Sequence, residues 1–215
     1  MTEVSSVLKR IRDARPRERP RPGERCELCG EVIGDEHDHV VDLELRSLLC
    51  ACRPCFLVFN SQGAGGKRFR AVPDRYLAFR DIGEDTTWER LEIPVGVAFF
   101  FLNSTIEQLA AFYPSPAGAT ESLLPLDAWN EIVAANPDLA TLQPDVEALL
   151  VRTVDGPRAD GSGPECFIVP IDVCYELVGE LRRVWRGFDG GTEAHAAVRS
   201  FFERVRSRAT AAVQA

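Results

Sequence analysis

Cys26-Glu27-Leu28-Cys29-Gly30 and Cys52-Arg53-Pro54-Cys55 each set two thiols three positions apart. That spacing lets a single ion bridge both sulfurs where the backbone turns tightly, and Gly30 can take the left-handed conformation such a turn requires. Two pairs of this kind, with 22 residues between them, supply four thiolates, the number a tetrahedral site needs. Unrelated free cysteines do not repeat this spacing, so Cys26, Cys29, Cys52 and Cys55 are read as the ligands of one metal ion. Tetrahedral sulfur suits both zinc and iron; Zn²⁺ is preferred and Fe is the alternative.

Other ligand-type side chains crowd the same stretch. Cys50 lies two residues before Cys52, and alternation along a strand puts both sulfurs on one side, which makes Cys50 an alternative ligand. Its plain role is that of a small buried apolar residue. His39 is the second alternative ligand, and with His37 it sits in an acidic segment where solvated histidines are the ordinary expectation. Asp38-His39 is also similar to the start of an HNH nuclease, in which the histidine activates water against a metal-bound phosphate. That reading falters downstream: His39 is only thirteen residues before Cys52, and Phe56 stands where an asparagine usually follows the last cysteine pair.

These thiols need elements to bring them together. His39–Leu45 and Leu48–Cys52 read as two short strands, and a hairpin of these two is the layout of a zinc ribbon spanning residues 25–60. So small a unit has little core, and the metal is expected to supply much of its folding free energy. Residues 1–24 precede it as a short basic helix, about residues 3–14, and a Pro/Arg linker. Residues 61–67 are glycine-rich and read as a hinge; the Gly-x-x-x-x-Gly-Lys-Ser/Thr order of a phosphate loop is absent. Residues 68–215 form the second unit. Strands are predicted over Val95–Asn103, Leu109–Tyr113, Val146–Val154 and Glu165–Val169, with a polar loop over residues 155–164. Helices are predicted over Asp127–Ala135, over Ile171–Trp185 and from Thr192 through Phe201, Phe202 and Val205. Strands first and helices last indicate an α+β fold: an antiparallel sheet with helices packed on one face, preceded by the small four-cysteine zinc-ribbon module.

Composition narrows the function. A net charge of −8 argues against broad nucleic-acid binding, and the excess of Lys/Arg in residues 1–25, eight against four Asp/Glu, reads as a solvated leader. No stretch nears the length of a membrane span and no secretory leader is evident, so the cytoplasm is the expected compartment. Seven cysteines in a reducing compartment point to a metal before disulfides. The second unit has no recognisable catalytic constellation, and no enzyme activity is expected of it. Its most distinctive stretch, Tyr113–Ser122, reads first as a structural crossover, with a rigid loop exposing Ser115, Thr120, Glu121 and Ser122 to a protein partner as the sharper alternative. Asp172, Glu176 and Glu180 form an acidic helical stripe, and Cys166 and Cys174 are predicted core thiols.

Four stretches together carry a resemblance: Arg25–Gly30, Leu49–Cys55, Phe112–Ser122 and Phe167–Asp172. They resemble an uncharacterised actinobacterial family associated with gene neighbourhoods of nickel–iron hydrogenases, and the likeness covers nearly the whole chain. It implies an accessory or maturation role, with a hydrogenase subunit or maturation factor as partner. A rubredoxin-like electron-transfer protein with iron in the four thiolates is the alternative, although Phe56 replaces the glycine that usually follows the second pair in rubredoxins.

Overall fold

The computed structural model of the chain describes residues 25–60, 68–79, 96–115, 118–124, 130, 133–134, 136–152, 165–187 and 190–211. The predicted helix over residues 3–14, the linker, the glycine-rich stretch, the loop over 155–164 and most of the helix predicted over 127–135 lie outside these residues.

The cysteine-bearing part comprises strands β1 (Asp38–Asp42) and β2 (Ser47–Ala51), helix α1 (Arg53–Asn60) and strand β3 (Phe69–Ala71). The three strands form an antiparallel sheet in the order β2-β1-β3. Its hairpin turn is closed by Asp42, whose Oδ1 accepts from the amides of Glu44 and Leu45 at 3.0 and 3.2 Å. Arg68 clamps the same carboxylate through Nε and Nη2. Hydrogen bonding from that guanidinium, working against burial, holds the Asp42 carboxyl below its usual range. Two features go beyond the hairpin that the sequence indicates. Arg53–Asn60 is a helix, because Pro54 in its first turn needs no amide partner and Phe56 is buried under the helix. Phe69–Ala71 lies beyond Asn60 in sequence yet pairs with β1 along Val40–Asp42.

The larger sheet runs β10-β4-β9-β8-β5-β6-β7. Its strands are β4 (Leu77–Phe79), β5 (Val97–Asn103), β6 (Gln108–Ser115), β7 (Gly118–Leu124), β8 (Glu147–Arg152), β9 (Glu165–Pro170) and β10 (Thr210–Ala211). All neighbours are antiparallel except β10 and β4. Helices α2 (Ile171–Val184) and α3 (Gly191–Arg208) follow β9. The fold is therefore α+β with antiparallel sheets, as the order of sequence elements implies.

β5, β8 and β9 are apolar almost without alternation because both of their faces are buried. One face, with Phe99, Leu150, Phe167 and Val169, packs against Cys174, Leu177 and Leu181 of α2 and Phe201, Phe202 and Val205 of α3. The other face, with Phe100, Leu149, Val151 and Ile168, is covered by Leu139 and Leu142. Cys166 and Cys174 are core thiols, one on each side. α2 carries Asp172 in its first turn and Arg182 and Arg183 in its last, which suits the helix dipole. α3 is capped by Gly190 at φ 87°, where a Cβ would come within 3.0 Å of Ala194.

The expected exposed loop over Tyr113–Ser122 is corrected: Pro114 and Ser115 lie in β6 and Ala119–Ser122 in β7, paired Tyr113↔Thr120 and Phe112↔Glu121. The pairing of β6 with β5 extends only to Phe112, so the missing amide of Pro114 removes no bond on that side. Among the described residues no helix is long and apolar enough to cross a membrane.

Candidate metal centre

The first cysteine pair turns as its spacing requires. The Cys26 amide donates to Glu31 O at 2.7 Å and the Gly30 amide to Cys26 O at 2.8 Å, with Gly30 at φ 79°. The turn is fastened to β2 at Cys50, whose carbonyl accepts from the Glu27 amide at 2.9 Å and whose amide donates to Glu27 Oε2 at 2.6 Å. The second pair sits where β2 runs into α1, and the Phe56 amide donates to Cys52 O at 3.0 Å. Cys55 thus lies in the first turn of a helix, whose free amides favour negative charge.

The four sulfurs of Cys26, Cys29, Cys52 and Cys55 lie within 4.8 Å of one another, and those of Cys29 and Cys52 are 3.6 Å apart. A tetrahedral ion with metal–sulfur bonds near 2.3 Å spaces its sulfurs by about 3.8 Å, so the cluster can hold a metal ion with little adjustment. Cys26 and Cys52 are buried together with Ile33 in a small apolar cluster of their own. The thiols do not ionise alike. Burial opposes charge on Cys26, but hydrogen bonds from the backbone at Cys52, Cys29 and Leu28 outweigh it and draw the thiol down to about 6. Cys55 is pushed up by burial and then by the neighbouring thiols of Cys29, Cys52 and Cys26. At Cys52 the hydrogen bond from the Cys55 backbone is outweighed by burial and by Cys29, and its thiol also rises. A thiolate crowded by three sulfurs is the environment that a divalent cation relieves.

The two alternative ligands do not join this set. Cys50 pairs directly with His39 across the hairpin, and these two form a separate grouping with His37. The Cys50 thiol is pushed up by burial and by the Glu27 carboxylate. His39 Nδ1 donates to Asp172 Oδ2 on α2 at 2.8 Å, 133 residues away in sequence. Strand alternation was the available signal for Cys50 and His39 sharing a face; nothing local pointed to Asp172.

The cysteine module is joined to the larger sheet by more than His39. Val41 and Val72 are 9% and 5% exposed and belong to the helix-covered core, with Leu43 and Leu48 packed against it. Arg70 of β3 reaches Asp145 and the carbonyl of Pro144, both at 3.2 Å. Asp145 also accepts from the Ser104 amide and hydroxyl.

Of the residues expected to meet a partner, Glu121 is exposed and lies 3.4 Å from Arg46, while Ser115 Oγ is buried with no hydrogen-bond partner among the described residues. Thr120 is half-buried in β7, the terminal strand of the sheet. Ser122 pairs with Ala111 in the same hairpin. The acidic stripe is engaged within the molecule: Asp172 by His39, and Glu176 and Glu180 by Arg204, each at 3.3 Å.

No curated protein and no solved structure matches the chain significantly. One family model does, over residues 25–209, a span that takes in the paired cysteines, both sheets and both long helices. The chain belongs to the family of unknown function DUF5947.

Proposed function

We propose that this is a non-catalytic metal-binding accessory protein in which Zn²⁺, held by Cys26, Cys29, Cys52 and Cys55, braces a zinc-ribbon module against the α+β domain. The convergence of the four sulfurs carries this reading. Four protein ligands fill a tetrahedral ion, so no position is left to polarise a substrate or activate water. The ion's contribution is then to folding and to the shape of the surface. Zinc is favoured over iron because the second pair continues as Arg53–Asn60 without the glycine typical of rubredoxins. Metal analysis should find zinc at the four sulfurs. A red protein that bleaches with dithionite would replace this reading with electron transfer.

The accessory role is performed through protein contacts in the cytoplasm, in the maturation or assembly of a metalloenzyme such as a nickel–iron hydrogenase. Support comes from the resemblance of the four motif stretches to a family with that genomic setting. The surface assigned to the partner is the β6–β7 hairpin that carries Ser115, Thr120, Glu121 and Ser122, with Glu121 its exposed side chain, since β7 is the outer strand among the described residues and an outer strand offers ladder groups. Replacing Ser115, Thr120 and Glu121 together by alanine should leave metal content and melting temperature nearly unchanged and weaken capture of a co-expressed hydrogenase subunit or maturation factor. Undiminished capture by that variant, and its loss on changing Glu27 and Arg53, would move the recognition surface to the metal module.

A further inference from the structure

Beside the four-cysteine cluster, the hairpin assembles another set of donors from different residues. His37 immediately precedes β1 and His39 is its second residue, and Cys50 lies directly across from His39 on β2. Each of the three brings one donor atom within 4.8 Å of the others. The imidazole rings stand 4.8 Å apart, centre to centre.

Both rings are already held as metal-binding histidines are held. His37 Nδ1 bonds Gly34 O at 2.9 Å and His39 Nδ1 bonds Asp172 Oδ2 at 2.8 Å. A carbonyl and a carboxylate only accept, so in each neutral ring Nδ1 carries the proton and Nε2 keeps its lone pair. Fixing the tautomer and ring orientation in this way is the usual work of outer-shell partners at metal sites. His37 Nε2 is buried and has no hydrogen-bond partner among the described residues. A buried acceptor left unpaired is costly, and a cation there removes the cost.

We infer that His37, His39 and Cys50 form a second metal site, distinct from the four-cysteine cluster, for a divalent late transition-metal ion of the zinc class. Two imidazoles and one thiolate match the donor preference of such ions, whereas magnesium and calcium take oxygen. Zinc bonds near 2.0–2.1 Å to nitrogen and 2.3 Å to sulfur space the donors by about 3.3–3.8 Å, so side-chain rotations of about 1 Å complete the set. Three protein donors leave the fourth position to water or an exogenous ligand, so the ion can take a ligand from solution. His37 and His39 also line a cleft of about 1230 Å³, together with Asp172, Tyr76 and Arg53, through which such a ligand would reach the ion. The inference does not depend on the four-cysteine reading, since the two sites share no ligand.

Cobalt(II) is the probe, because its visible spectrum separates all-sulfur from mixed nitrogen–sulfur coordination. The full-length protein, stripped of metal and titrated with Co²⁺, should bind about two equivalents, one with each signature. His37→Ala/His39→Ala should bind one equivalent with only the all-sulfur spectrum, and Cys50→Ala, which keeps both rings in place, should give the same result. Azide should shift the mixed-ligand spectrum and leave the all-sulfur one unchanged. Binding of a single equivalent with an all-sulfur spectrum would overturn the second site and leave the first standing; a single mixed-ligand equivalent would do the reverse. Two equivalents retained in both variants would overturn it as well, and so would loss of the all-sulfur signal in Cys50→Ala, which would place Cys50 in the first cluster. A mixed-ligand spectrum insensitive to azide would overturn the open position.

Discussion

Removing the metal from the four-cysteine cluster should lower the melting temperature of the larger sheet, although none of its strands carries a ligand. The link is the shared core. Val41 and Val72, 9% and 5% exposed, lie in the cluster that also holds Phe99, Leu150, Phe167 and the faces of α2 and α3. Burying a valine contributes about 1.5–3 kcal/mol, so docking these two is worth about 3–6 kcal/mol. A denatured chain that retains some burial trims this by about a tenth to two-fifths. For a protein of this size each kcal/mol moves the midpoint by about 2–4 °C, and a drop of about 10 °C is expected when the module unfolds. The assay is a thermal melt followed by circular dichroism, with metal content measured before and after chelation and hydrogen exchange read at β1, β2, β8 and β9. Exchange should become fast in β1 and β2, while β8 and β9 stay protected but melt earlier. A confirmed loss of metal with β1 and β2 unprotected and an unchanged midpoint for β8 and β9 would refute the shared-core reasoning. Collapse of the entire chain on chelation would show the coupling to be far larger than two valines supply.

Cys52→Ser takes one sulfur from the cluster and should abolish all-sulfur metal binding, read by native mass spectrometry; retention of that ion at full occupancy would exclude Cys52 as a ligand. Phe100→Ala opens a cavity on the face of the sheet away from α2 and α3, where Phe100 is 0% exposed. It should cost about 3–5 kcal/mol in chemical denaturation with metal content unchanged; concurrent loss of metal would contradict the separation of the two cores. The Asp42 carboxyl is held below its usual range by hydrogen bonding to Arg68. Its folded pKa being depressed, the stabilisation is complete above the ordinary carboxylate value of about 3.9 and is lost as pH falls through the folded value. Arg68→Ala should shrink this acid-side loss in a pH series of melts; an unchanged acid limb would show that the pair does not set it.

The sequence by itself determined the elements whose signals are local. Paired thiols three apart mark a turn that converges on an ion whatever surrounds it, and the four sulfurs do converge. Unbroken apolar runs in β5, β8 and β9, followed by helical periodicity after Pro170, carry the α+β class because burial on both faces leaves no polar alternation. What tertiary structure decided lies where a local signal is silent or points elsewhere. Cys55-Phe56-Leu57-Val58-Phe59 has strand-like composition but forms α1, since Phe56 packs under the helix and Phe59 meets Phe69 of β3 at 5.1 Å. The proline-rich stretch around Ser115 resembles a loop in isolation, yet two facing strands give its backbone partners and extend it as a hairpin. The setting of His39 was least legible. Its neighbours in sequence are acidic and solvent-seeking, and only the packing of the module on α2 places Asp172 against Nδ1. A contact across 133 residues leaves no periodicity to read; it exists because Val41, Leu48 and Val72 bury themselves in the core of the larger sheet and carry the histidine there with them.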